Sequence, residues 1–226
     1  MRICFVNRGT LGEFKQFYDR ENAENGGGDR KKADIVVFGF GGKTQVSYER
    51  ELKGETRFFE DAALLSKREK NLVVCGCITD NHSHLRKSAA VAENGRLSGV
   101  SDMLNVIDDE VSSGAALRVY ETKQGRMGLA VAEDLYFPEV IKALAVCGSD
   151  FIVCPFARAD GVHVALLRAH AYCFGVPILF CADGYCAIAD PSGNIAFASP
   201  QSPVCIDYEY SREYHLVQTR RRGGFR

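Results

Sequence analysis

Glu133 and Asp134 are adjacent carboxylates, and such a pair can divide acid and base work when their surroundings separate the two pKa values. On an extended segment consecutive side chains face opposite ways, which argues against a shared site. Glu133 stays a pocket candidate. Thiols are the next chemical resource. The chain has nine cysteines, an odd number, and most sit in apolar strand-like runs such as LVVCGC and ILFCAD, so they read as buried small hydrophobes. The close pairs Cys75/Cys77 and Cys181/Cys186 lack the spacing of a zinc knuckle, and no metal is expected. Cys75 and Cys77 would share one strand face, which leaves a redox or metal role open behind the core reading. His82 and His84, in TDNHSHLR, read as a solvated turn because no further ligand cluster is placed to join them. Gly39-Phe40-Gly41-Gly42-Lys43-Thr44 follows a strand and ends like a phosphate-binding loop. Val37 replaces that motif's first glycine, and a flexible loop is the preferred reading.

The elements that must position these groups alternate as in an α/β domain. Residues 2–7 and 34–38 read as strands, separated by a charged amphipathic helix around residues 11–21 and a glycine run at 26–28. Residues 55–70 carry Phe58, Phe59, Ala62 and Leu65 on one stripe, predicting a helix packed on a sheet before a strand at 72–79. Asn94-Gly95 supplies the positive φ values of a tight hairpin between residues 86–93 and 96–102. Hairpins are also predicted around Gly125 and Gly193. Between them lie a helix opening at Pro138, a strand at 151–154 containing core-facing Cys154, a helix at 162–174 and a strand at 178–182. The sheets are therefore mixed, and a short helix is expected from residue 211 into the basic tail.

With 226 residues, 46% hydrophobic and 25% charged, the composition predicts one globular domain spanning residues 1–226. A formal net charge of -1 gives no field that argues for nucleic acid or an anionic membrane. Arg220–Arg222 read as a solvated terminus. No apolar run approaches the roughly 20 residues of a membrane span, and the apolar stretch at the start is too short for a secretory signal, so a cytoplasmic location is expected.

GRMGLAVAEDLYFPEVIKALA, at residues 125–145, resembles the diagnostic stretch of the carbon–nitrogen hydrolase (nitrilase) superfamily, where a strand delivers a nucleophilic cysteine into a tight turn. ADIVVFGFGG, KSAAVAENGRLSGVSDML, GSDFIVCPFA, LLRAHAYCFGVPILFCAD and CAIADPSGNIAFAS follow the family's order at similar spacings. The resemblance implies a four-layer α-β-β-α sandwich and a homodimer, with no cofactor. It also implies a cysteine nucleophile, a glutamate that moves protons and a lysine that supports negative charge. Those positions match Ala132, Phe40 and Met103. Shifting the register does not restore them: no cysteine lies between Cys77 and Cys147, no lysine between Lys87 and Lys123, and no glutamate between Glu24 and Glu49.

The resemblance thus implies a non-hydrolytic member whose pocket is either filled by Phe40 and Met103 or reused for a small neutral ligand. Glu133, Asp134, Tyr136 and Phe156 are the candidate lining residues, with Ala157 beside them; Asp134 also matches an acid that family members carry in this turn, so the resemblance implies a turn-stabilising role for it. A C–N hydrolase working through other residues, and a scaffold that pairs with an active paralogue, remain the alternatives.

Overall fold

The computed structural model describes residues 1–14, 32–41, 44–107 and 110–209. Most of the helix expected at 11–21, the glycines at 26–28, Gly42, Lys43 and the expected C-terminal helix lie outside the described residues.

Two mixed sheets form the centre. In the first, the path runs β13 (Val204–Asp207), β1 (Arg2–Val6), β2 (Ile35–Phe38), β4 (Leu72–Asn81), β5 (His84–Glu93) and β6 (Arg96–Asp102), with β3 (Gln45–Ser47) also paired to β4. The second runs β12 (Ile195–Ser199), β11 (Tyr185–Ala189), β10 (Ile178–Asp183), β9 (Phe151–Arg158), β8 (Gly125–Leu129) and β7 (Val119–Thr122). Parallel pairs join β1 to β2, β2 to β4, β3 to β4, β8 to β9 and β9 to β10, while hairpins supply the antiparallel pairs except that of β13 with β1, which come from opposite ends of the chain.

Strand alternation then builds the layers. Ile3, Phe5, Val37 and Val74 of the first sheet face Met127, Leu129, Val153 and Leu179 of the second in one shared core. On the first sheet's other face, Val36, Phe38 and Val73 pack with Ala62 and Leu65 of α2 (Phe58–Glu69). The second sheet's outer face carries Ile152, Cys154 and Phe180 against α3 (Pro138–Val146) and α4 (Gly161–Phe174). This is the expected α-β-β-α order. A short helix, α1 (Tyr48–Leu52), follows β3.

Local signals explain several boundaries. Asp160 caps α4 by accepting from the amides of Val162 and His163, and Gly175 ends that helix at φ 65°. Asn94 and Gly95 take φ values of 52° and 82°, as the β5–β6 hairpin requires. Three details differ from the sequence reading. β4 and β5 extend to Asn81 and His84, past the expected strand end at 79, so the exposed turn expected around both histidines holds His82, at φ 51°, while His84 begins β5. β9 runs through Pro155 to Arg158, beyond the expected strand end at 154. The third is β13, whose four residues carry too little pattern to be recognised without their partner β1.

α4 also holds a titratable group in its packed face. His170 is buried and its Nε2 lies 2.9 Å from the Leu135 carbonyl oxygen, consistent with a neutral ring donating there. Burial lowers its pKa below the usual 6.5, a shift only partly offset by the Leu135 bond. The unfolded chain then takes up a proton that the folded state refuses, so stability falls as pH drops below 6.5. His170→Gln is expected to flatten that slope, which is at most about 1.4 kcal/mol per pH unit; urea titrations from pH 5 to 7 measure it.

Candidate functional site

The site begins where β8 ends. Val131 is extended, and residues Ala132–Tyr136 then close into a 3-10 turn that leads through Phe137 to Pro138 at the start of α3. Ala132 has φ 49°, a left-handed conformation that L residues other than Asn and Asp seldom adopt. The chain thus makes a sharp strand-to-helix turn at the position read as that of the nucleophile, with a methyl group in place of a thiol. Phe40, Met103 and Ala132 come together in the core between the sheets, with exposures of 6%, 1% and 1%. Met103 is fixed by its own backbone, which donates to Lys87 O at 2.8 Å and accepts from Gly114 N at 2.7 Å.

The turn separates the two carboxylates, although its geometry is 3-10 rather than the extended segment assumed from sequence. Asp134 is buried and accepts from Leu104 N, Asn105 N and Asn105 Nδ2 at 2.9–3.1 Å, which ties the turn to the segment after β6. Burial pushes its carboxyl pKa up, with these hydrogen bonds opposing the shift. Glu133 turns the other way. Its Oε1 accepts from Lys87 Nζ at 2.6 Å, with the side chains 16% and 18% exposed, and its buried Oε2 has no hydrogen-bond partner among the described residues.

Lys87 is the link to open space. A cavity of about 600 Å³ lies beside it, with Phe40, Ile78, Leu85, Val111 and Ala157 as apolar wall. Gly41 and the charged residues Glu110, Arg158 and Asp183 complete the lining. Phe40 therefore forms part of the cavity wall while being almost wholly packed behind it.

Of the residues expected to line the pocket, none of Glu133, Asp134, Tyr136 and Phe156 is on this wall, and Glu133 connects to it only through Lys87. Phe156 belongs to the outer core, its ring 4.5 Å from that of His163 and 5.9 Å from that of Tyr136. Strand alternation explains this, because Phe156 and Ala157 point to opposite faces of β9 and only Ala157 reaches the cavity. Tyr136 Oη lies 2.7 Å from His163 Nε2, and His163 Nδ1 lies 2.7 Å from Asp160 Oδ1. Burial and the nearby Glu133 and Asp160 raise the Tyr136 phenol's pKa, so this chain supports a neutral hydroxyl and not a phenolate nucleophile.

The other sequence candidates resolve as packing. The loop after β2 runs into β3, whereas a phosphate-binding loop opens a helix. Its glycines serve close approach instead: a Cβ at Gly39 would stand 2.8 Å from Cys181 O, and one at Gly41 3.0 Å from Gly9 O. Cys75 and Cys77 are buried, and burial raises both thiols, Cys77 to about 12. Among the described residues no three His, Cys, Asp or Glu side chains converge as a metal site. No helix there is long and apolar enough to cross a membrane. Sequence reading missed Lys87, Glu110, Arg158 and Asp183. The one available signal was a lysine among small residues in KSAAVA, which has no meaning without its distant partner.

With this geometry in hand, comparison with known proteins is direct. A probable nitrilase of Schizosaccharomyces pombe is 28% identical over 90 residues, covering 38% of this chain and 29% of that protein. Two solved structures share the fold: an amidase from Nesterenkonia sp., with a TM-score of 0.70, 18% identity and coverage of 91% of this chain and 88% of that one, and Saccharomyces cerevisiae Nit3, a member of branch 10 of the nitrilase superfamily, with a TM-score of 0.73, 16% identity and coverage of 99% and 93%. The carbon-nitrogen hydrolase family model matches residues 30–209. By that match, which takes in the second sheet, every strand of the first except β1, and the turn at Ala132, the chain belongs to the carbon-nitrogen hydrolase family.

Proposed function

We propose that this protein is a non-hydrolytic member of its family that binds a small molecule in the cavity beside Phe40 and Lys87. One observation carries the reading: about 600 Å³ stays open against Phe40, which is packed into the same core as Met103 and Ala132. A nucleophilic route needs a thiolate or an equivalent, and a methyl group at position 132 removes it irrespective of the other two positions. The cavity wall combines an apolar side with two basic and two acidic residues, Lys87, Arg158, Glu110 and Asp183. Such a lining suits a molecule without net charge that has an apolar body and polar ends. The same reading includes a homodimer to which α3, with Val146 about half exposed, and the C-terminal segment would contribute.

A second reading is favoured by the Lys87–Glu133 contact. A carboxylate with one oxygen unpartnered among the described residues, beside an ammonium group, has the parts to activate water and support negative charge on a C–N substrate. One experiment separates the two. A panel of amides and nitriles is assayed for ammonia, alongside calorimetric screening of uncharged and zwitterionic metabolites. Binding is expected without ammonia release, and Lys87→Met is expected to weaken it by roughly tenfold, the loss of one hydrogen bond to a charged group. Turnover abolished by Glu133→Gln would establish the second reading in its place.

A further inference from the structure

We propose that Cys4 and Cys205 form a reversible modification site, a cross-strand dithiol that closes to a disulfide on oxidation and pins β13 to β1. The register places Cys4 directly opposite Cys205 in an antiparallel pair. Hydrogen bonds around the pair identify its type. Met1 and Tyr208 exchange both backbone bonds, Tyr208 N to Met1 O at 2.8 Å and Met1 N to Tyr208 O at 3.1 Å. Alternation from that pair makes Arg2/Asp207 and Cys4/Cys205 non-hydrogen-bonded pairs, in which Cα atoms approach to about 4.5 Å and side chains are closest. The Arg2–Asp207 ion pair, at 3.3 Å and on the same face, shows that side chains do meet there. A separation of about 4.5 Å lies within the Cα range that a disulfide spans.

Access selects this pair over another. Cys181 and Cys186 also face each other across β10 and β11, but both are fully buried and burial raises both thiols. Cys205 is half-buried on the edge strand of the sheet, while Cys4 beside it is buried in the outer core of the first sheet. Cys205 is thus the thiol that meets an oxidant and Cys4 the one that resolves it. With a hydroperoxide, Cys205 thiolate attacks the terminal oxygen, giving the sulfenic acid and releasing an alcohol or water. Cys4 sulfur then attacks the Cys205 sulfur, the S–O bond breaks and water leaves; the two thiols are oxidised by two electrons and the hydroperoxide is reduced. Dithiothreitol reverses the bond.

The test uses the full chain. Purified protein is treated with equimolar hydrogen peroxide, blocked with N-ethylmaleimide, digested and analysed by mass spectrometry. A Cys4–Cys205 linked peptide with two fewer maleimide adducts is expected, lost with dithiothreitol and absent from Cys205→Ser. Oxidation is also expected to slow amide exchange across β13 at least tenfold, a change Cys205→Ser abolishes even if Cys4→Ser fails to fold. Oxidised Cys205 with Cys4 still reactive to maleimide would overturn the proposal, as would a Cys181–Cys186 crosslink as the main product.

Discussion

Met103→Lys is expected to destabilise the protein by about 3–5 kcal/mol, and restoring Glu, Lys and Cys together at positions 40, 103 and 132 is expected to release no ammonia from simple amides. Met103 is 1% exposed and lies among apolar side chains of both sheets. A lysine there must lose its hydration or its proton, and shifting its pKa from about 10.4 to below 7 costs about 1.4 kcal/mol per unit. Phe40→Glu adds a buried carboxylate and removes a ring that closes the core beside Gly76, where a Cβ would already stand 2.9 Å from the Phe40 ring. The two new charges attract, so the triple variant should lose less than the sum of its parts, and a double-mutant cycle on urea midpoints gives that coupling. Activity needs more than pairing, because the groups must be held within about 0.5 Å by neighbours that are here arranged around apolar side chains. A triple variant with wild-type stability and steady ammonia release would show that the supporting shell is intact.

Asp134→Ala is expected to cost about 2–4 kcal/mol. Two effects compete. Removing the carboxylate relieves the burial that raises its pKa, which is stabilising. Against this, Leu104 N, Asn105 N and Asn105 Nδ2 lose their acceptor, and each donor left buried costs about 1–3 kcal/mol. The donors outnumber the acceptor, so the loss wins. Asp134→Asn, which keeps one acceptor oxygen, should lose less than half as much. The consequence is local as well as global: Asp134 joins the turn at Ala132 to the residues directly after Met103, so hydrogen exchange should rise first at 103–106. Equal stability of the Ala and wild-type proteins in urea would refute this account.

Much of the layer order was legible in the chain. Alternating apolar residues in β1, β2 and β4, the Phe58–Leu65 stripe of α2 and the Asn94-Gly95 turn are local patterns, and local patterns follow from backbone sterics and burial. Short edge strands were not legible, since β13 acquires meaning only by pairing with β1 at the other end of the chain.

The candidate site divides in the same way. The sequence by itself determined which groups stand at positions 40, 103 and 132, a benzyl ring, a thioether and a methyl group, and that no Glu, Lys or Cys lies within a few residues of each position matched to it by the family resemblance. Only the tertiary structure decided what stands in their place. Lys87 and Glu133, 46 residues apart, meet because β5 and the turn after β8 belong to facing sheets. Phe156 and Ala157 part company because successive residues of β9 point to opposite layers. Residue type is a property of the chain, whereas burial, pairing and an open cavity arise when distant segments exclude water together.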